Sequence, residues 1–256
     1  DNGSFDNCGI DTILLNGGQD TLSFDCSNVG SNTVTLTILD VNGNSSTCSA
    51  TVTVEDTISP TAICQDITVQ LDANGELVVT AADIDNGSFD NCGIDTILLD
   101  GGQDTLSFDC SNVGSNTVTL TVLDVNGNSS TCSSTVTVED TVSPTAICQD
   151  ITVQLDANGE LVVTAANIDN GSFDNCGIDT ILLDGGQDTL SFDCSNVGSN
   201  TVTLTVTDVN GNSSTCSATV TVEDTISPTA ICQDITVQLD ANGELVVTAA
   251  DIDNGS

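Results

Sequence analysis

Lysine, arginine and histidine are absent from this 256-residue chain, and so are tryptophan, tyrosine and methionine. Without a basic side chain, no ion pair can form between side chains. Attraction to nucleic acid or to an anionic membrane through the chain's own charge is excluded. Nucleophile–base pairs draw on His, Lys, Tyr or a reactive Cys, so covalent catalysis has almost no raw material here. Paired carboxylates could in principle do acid–base work, but acids recurring in every repeat read more simply as ion ligands. The expectation is a protein that is not an enzyme. Aromatic residues are reduced to six Phe. A core built around so few is thin, and small exported domains reinforce such cores with disulfides. There is no long apolar run, no initiator Met and no signal peptide. The sequence therefore reads as a mature or excised segment of an exported protein.

What is abundant is acid, with 38 Asp and Glu and a net charge of −38. Many of these acids crowd into loops beside Asn and Gly, where cations must sit among them. Cysteine is also plentiful, at 12 residues. That number points to an oxidising compartment, secreted, extracellular or on a cell surface. A zinc–thiolate cluster is the alternative, but there is no Cys-x-x-Cys spacing and no His.

The chain repeats itself. Cys64, Cys148 and Cys232 stand 84 residues apart, as do Phe24, Phe108 and Phe192. A period of 84 residues is one small domain per repeat rather than a solenoid turn. Residues 1–58 hold the later strands of a partial module. Residues 59–142 and 143–226 are complete modules, and 227–256 supply only the first two strands of another. The clearest unit is the hairpin at 117–140. Thr117 to Leu123 alternates with Val118, Leu120 and Val122 on one face. Thr131 to Glu139 alternates with Cys132, Ser134, Val136 and Val138 on one face. The Asp124-Val125-Asn126-Gly127-Asn128 stretch between them is turn chemistry.

Strands are also expected at 63–71, 77–83, 94–99 and 105–110. No segment shows a helical period with caps. Short strands between turn signals predict an all-β sandwich. Six strands are clear, and a tandem array favours an odd number, so a short seventh is expected near 84–90 or 100–105. Within a module, the nested pairing Cys64–Cys132 with Cys92–Cys110 is favoured. It extends to Cys148–Cys216 and Cys176–Cys194, with Cys8–Cys26 in the first segment. Two other pairings stay open.

The pattern TAICQDITVQLDANGELVVTAADIDNGSFDNCG followed by TVTLTVLDVNGNSSTCSSTVTVED resembles the hyalin-repeat (HYR) family across the whole chain. The resemblance implies tandem immunoglobulin-like β-sandwich modules of extracellular proteins linked to adhesion, strung on bacterial secreted surface proteins. The aromatic often found on the second strand of that family is missing here.

Loop acids nominate calcium, because hard oxygen ligands suit that ion. The expected sets are Glu55, Asp56, Asp85, Asp90, Asp124 and Asn126 at one module junction, and Glu139, Asp140, Asp169, Asp174, Asp208 and Asn210 at the next. The bland alternative is that the turns only turn and the acids only solubilise.

Glycans are the second candidate ligand. Asn44, Asn128 and Asn212 lie in N-x-Ser triplets, as do Asn2, Asn86, Asn170 and Asn254. Asp-Thr followed by an apolar residue marks Thr12, Thr21, Thr57, Thr96, Thr105, Thr141, Thr180, Thr189 and Thr225. That triplet resembles an O-glycosylation signal of secretory bacteria.

The favoured function is a structural extracellular fibre or surface stalk, assembling head to tail. Both ends of the sequence fall inside a module. Either it is a window on a longer chain, or strands 229–252 of one copy complete residues 5–57 of the next, with Cys232 facing Cys48. An adhesin whose loops bind carbohydrate or protein is the rival. A mineral- or ice-binding face on the Thr117, Thr119, Thr121 row is a third reading.

Overall fold

A computed structural model describes residues 3–255. The chain divides into two compact units, Asp1–Asp140 and Thr141–Ser256.

The first unit begins with β1 (Ile10–Leu15), β2 (Gly30–Asp40) and β3 (Ser45–Val54), an antiparallel sheet in that order. It continues with β4 (Ile67–Gln70), β5 (Glu76–Thr80), the one-turn helix α1 (Ala81–Ile84), β6 (Ile94–Leu99), β7 (Thr105–Asp109), β8 (Gly114–Asp124) and β9 (Ser129–Glu139). These strands form a four-stranded sheet, β4-β9-β8-β6, and a two-stranded sheet, β5-β7. All pairs are antiparallel except β4 with β9, which run parallel with Ile67 opposite Val136. Placing the third, fifth and sixth strands of a module in one sheet, and the second and fourth in the other, is the immunoglobulin-like sandwich arrangement. The second unit repeats it with β10 (Ile151–Gln154), β11 (Glu160–Thr164), α2 (Ala165–Ile168), β12 (Ile178–Leu183), β13 (Thr189–Asp193), β14 (Gly198–Asp208) and β15 (Ser213–Glu223). It closes on α3 (Ala249–Ile252). The protein is thus all-β, built from tandem immunoglobulin-like sandwiches.

The alternating faces expected from the sequence point inward. Val118, Leu120 and Val122 of β8 and Val136 and Val138 of β9 are buried, together with Leu71, Val79, Ile84, Leu99 and Phe108. Ser134 is buried among them, and its hydroxyl donates to the Gln65 carbonyl. That bond satisfies a polar group that would otherwise be costly to bury.

Three expectations need correction. The segment 77–83 is not strand throughout. It turns helical at Ala81, because the Thr80 amide and hydroxyl both donate to the Asp83 carboxylate at 2.7 Å. One helical turn is too short to show a 3.6-residue period. The seventh strand is not a strand either. Residues 84–89 zip onto 61–65 through the isolated bridges Thr61–Phe89 and Cys64–Asp85. Residues 100–103 form a turn with Asp100 at φ 40°.

The third correction is the short disulfide. Cys64–Cys132 and Cys148–Cys216 form as expected, but Cys92 pairs with Cys26, not Cys110. Cys92 precedes β6 at the end of the sandwich where β8 turns into β9. Cys110 follows β7 at the opposite end, its Sγ 3.9 Å from the Gly75 carbonyl. A disulfide needs Cα atoms within about 7 Å, so the two cannot meet. Cys26 takes the corresponding place in the preceding segment, and its Cα lies 5.2 Å from that of Cys92. Cys110 and Cys176 are also disulfide-bonded. Cys8, Cys48, Cys194 and Cys232 are free thiols, and all are exposed.

A candidate cation site at the module junction

Three backbone elements converge in the first unit: the junction after β3, the loop before β6 and the turn between β8 and β9. Each contributes one aspartate. Oxygen atoms of Asp56, Asp90 and Asp124 all lie within 4.8 Å of one another. With oxygen–calcium distances near 2.4 Å, two ligands on opposite sides of one ion sit at about that separation.

The local sequence fixes each carboxylate. Asp124 is buried and accepts the amides of Asn126 and Asn128 at 2.8 Å on one oxygen. Its other oxygen accepts the Asn128 side-chain amide at 2.8 Å. Burial alone would raise its pKa. The bond from the Asn128 side chain and those from the turn amides outweigh it, and the carboxyl is held below its usual value. Asp90 uses one oxygen to accept the Cys92 and Gly93 amides, at 2.7 and 3.1 Å. Asp56 accepts from the Ile58 amide at 3.1 Å with one oxygen.

The remaining oxygens are the informative ones. Oδ2 of Asp56, Oδ1 of Asp90 and Oδ1 of Asn126 are buried and have no hydrogen-bond partner. Buried acceptors left unpaired are costly. A chain without Lys, Arg or His offers no cation of its own to meet them. Hard anionic and amide oxygens gathered this closely fit Ca²⁺ rather than a thiophilic metal.

Two other expected ligands of this set behave differently. Glu55 is exposed, and the Asp85 carboxylate turns to its own loop, accepting the Gly87 and Ser88 amides at 3.3 and 3.1 Å. Asp140, Asp174 and Asp208 recur 84 residues on. Asp174 accepts the Cys176 and Gly177 amides. Asp208 is buried and accepts from Asn210 and Asn212. The Asn210 Oδ1 is again buried without a partner. Glu139 is exposed, and Asp169 caps its own loop through Ser172 at 3.0 Å.

Sequence reasoning missed two participants. Asn128, nominated as a glycan acceptor, instead spends its side-chain amide on Asp124 and on the Asp56 carbonyl at 3.1 Å. Asn212 donates likewise to Asp208 at 2.9 Å. The fifth-position Asn of the turn was the signal, since it recurs in phase with the acid. The second is the Cys26–Cys92 disulfide, which ties the loop carrying Asp90 to the preceding segment.

Of the threonines, Thr21, Thr57, Thr105, Thr141, Thr189 and Thr225 are exposed, while Thr12, Thr96 and Thr180 are half-buried in strands. Asn44 is exposed, its amide donating to Asp40 at 2.7 Å. Asn2 lies outside the described residues. In the threonine row of β8, Thr117 is exposed but Thr119 and Thr121 are half-buried.

The chain matches no protein-family model, and no curated protein matches it. Solved structures do resemble it. An I-band fragment from titin aligns at 13% identity over 75% of both chains with a TM-score of 0.41. The EC1–3 fragment of mouse clustered PcdhgC3 aligns at 18% identity over 81% of this chain and 82% of that one, with a TM-score of 0.33. The N-terminal four Ig domains of Dscam1 align at 11% identity over 84% of this chain and 65% of that one, with a TM-score of 0.35. No helix among the described residues is long and apolar enough to cross a membrane.

Proposed function

We propose that this protein is a non-enzymatic, extracellular structural element, a stalk or fibre of immunoglobulin-like modules stiffened at their junctions by Ca²⁺. The reading rests on the convergence of Asp56, Asp90 and Asp124, with buried, unpartnered oxygens on Asp56, Asp90 and the neighbouring Asn126. Asp56 belongs to the junction, while Asp90 and Asp124 belong to the following sandwich, so one ion would fasten the two. The Cys26–Cys92 disulfide crosses the same junction. A covalent tether and an ionic one at a single boundary suit a part that carries load better than one that must flex.

In this reading the modules are kin to the hyalin-repeat family through the residues quoted above, and successive copies associate head to tail in a filament. The exposed Asp-Thr threonines carry O-glycans, and neither nucleic acid nor a membrane interior is a partner. Calorimetry with and without a chelator tests the core of it. The melting temperature should fall when calcium is removed and should rise again on its return. An unchanged melting temperature would reject the ionic fastening. A glycan array tests the rival adhesin, which alone should give a specific hit.

A further inference from the structure

The residues that gather the aspartates also carry a disulfide. Asp90, Asn91 and Cys92 are consecutive. Oδ2 of Asp90 accepts the Cys92 amide at 2.7 Å, which fixes the carboxylate with its Oδ1 buried and unpartnered. The Asn91 side-chain amide lies 3.4 Å from Asp56 Oδ1 and 3.2 Å from Cys92 Sγ. The Asn91 carbonyl lies 3.5 Å from Cys26 Sγ. One short segment thus connects the sulfur bridge to two of the three carboxylates.

The other end of the bridge is tied to Asp56. Cys26 opens the 3₁₀ turn Cys26–Asn28, where the Asp25 carboxylate accepts the Ser27 amide and hydroxyl at 2.9 and 2.6 Å. The Asp25 amide donates to the Asn28 side chain at 2.9 Å. β2 follows at once, and its Gly30 stands opposite Val54, two residues before Asp56. The same capped turn forms at Cys110–Asn112 and Cys194–Asn196, so it belongs to the repeat. Cys26 and Asp56 therefore share one end of the β2–β3 hairpin, while Cys92 and Asp90 belong to the following sandwich.

Charge makes this anchoring matter. Asp56, Asp90 and Asp124 repel one another within 4.8 Å, and no basic side chain offsets the repulsion. Whatever already holds them together lowers the cost of binding an ion. Asn128 is one clasp, donating to the Asp56 carbonyl at 3.1 Å and to Asp124 Oδ2 at 2.8 Å. Single hydrogen bonds contribute only about 1 kcal/mol each. The Cys26–Cys92 bond is covalent, across a sequence separation of 66.

We propose that the Cys26–Cys92 disulfide positions Asp56 and Asp90 for the cation, so that calcium affinity at this junction is set by the redox state of one sulfur bridge. This control rests on the calcium reading above. Cys26, Asn91 and Cys92 are positioning residues, acting on the ion through the carboxylates they hold. Groups that orient metal ligands from outside the coordination shell are worth about 10–100-fold in affinity. Coupling of this kind is reciprocal. If the bond raises calcium affinity by some factor, calcium favours the bond over its reduced form by the same factor.

Glutathione carries the redox step. One glutathione thiolate attacks the disulfide, and the displaced cysteine takes up a proton. A second glutathione thiolate attacks the mixed disulfide, releasing the other cysteine and forming oxidised glutathione. Two electrons pass from the two glutathiones to the bridge, and their two protons end on Cys26 and Cys92.

The test titrates calcium into ¹⁵N-labelled protein, wild type and Cys26→Ser/Cys92→Ser. It reads the Gly93 amide and the Asn128 side-chain amide, which report this junction. The wild type should show a saturable shift, and the double variant should need at least tenfold more calcium. Amide exchange in β8 and β9 should be the same in both, because Cys64–Cys132 is retained. A second measurement needs no cysteine substitution. In graded glutathione buffers, saturating calcium should shift the Cys26–Cys92 equilibrium toward the disulfide by the factor found in the titration. Mass mapping of alkylated cysteines reads that equilibrium, and Asp124→Asn should abolish the shift. No calcium response in the wild type would reject the calcium reading and this control with it. A saturable response of equal midpoint in both proteins would leave the ion in place and overturn the coupling alone. A glutathione equilibrium indifferent to calcium, or a calcium effect on it that survives Asp124→Asn, would do the same.

Discussion

The same fourteen residues, ITVQLDANGELVVT, occur at 67–80 and at 235–248. The first copy forms β4 and β5, while the second forms no strand. The first segment shows the mirror image of this difference. TLSFD makes β7 at 105–109, where β5 is present to pair with it, but at 21–25 it makes none. Phe108 is 8% exposed and Phe24 is 37% exposed. Local preference is identical within each pair, so the partner strand makes the difference.

What survives in the unpaired copies is equally instructive. The turn Asp240–Glu244 keeps its 2.9 Å bond, and α3 keeps the Thr248–Asp251 cap of α1. The β2–β3 hairpin keeps its register without its covering sheet. Turns, caps and hairpins close over a few residues and need nothing from afar. Strands whose partners are distant must first offset the entropy of closing a long loop.

The contrast can be broken most forcefully at the sulfur bridges. Cys132→Ser should lower the stability of its sandwich by about 4 kcal/mol, since the lost bridge closes a long loop. Cys48→Ser, its in-phase counterpart, should leave the melting of the monomer unchanged, as differential calorimetry will show. Packing gives the next test. Leu120→Ala removes a fully buried side chain and should cost about 2–5 kcal/mol. Leu36→Ala, at the half-buried in-phase position of the first segment, should cost well under half of that in the same denaturant titration.

The third test concerns the ion. Asp124→Asn should abolish calcium stabilisation at its junction, worth about 2.7 kcal/mol when the ion is at a hundred times its Kd. Asp40→Asn, at the in-phase position of the first segment, should leave the monomer's calcium response intact, as titration calorimetry would report. A smaller effect separates two glycines of the same turn. Gly159 and Gly243 have φ of 79° and 78°, but only at Gly159 would an added Cβ meet a neighbour, Cys194 Sγ, at 2.7 Å. Gly159→Ala should therefore exceed Gly243→Ala in cost, each starting from about 1 kcal/mol of backbone strain.

The smallest effect sharpens the comparison by showing none. Asp72 and Asp240 open the same turn, one in a docked copy and one in an undocked copy. Backbone bonds from Glu76 and Glu244 respectively lead in holding their carboxyls below the usual value. A carboxyl depressed in the folded state stabilises above the unfolded value, about pH 3.9, and loses that contribution as pH falls through the folded value. NMR titration should find both acids depressed to a similar degree. A normal titration for Asp240 alone would mean that the turn depends on docking after all.

Much of the site could be read from the chain because its parts are local. Asp124 and Asn128 sit in a five-residue turn, and Asp90 sits three residues before Gly93, whose amide it accepts. Which loop acids converge could not be read in this way. Asp85 and Asp90 look alike in sequence, yet Asp85 spends both carboxylate oxygens on its own loop, while Asp90 spends one and keeps the other unpartnered in the cluster with Asp56 and Asp124. The pairing of Cys92 was hidden for the same reason. Sequence distance favoured Cys110, but β6 and β7 lie in different sheets and carry the two cysteines to opposite ends.

The sequence by itself settled the 84-residue period, the inward faces of β8 and β9, the turns and the absence of any internal positive charge. Alternation, turn residues and composition act over a few positions and need no partner. The tertiary structure alone decided which copies of a repeated segment become strands, which cysteines meet and which carboxylates share one space. Each of those depends on surfaces that come together only when distant segments pack, and identical letters take different forms according to whether that packing is there.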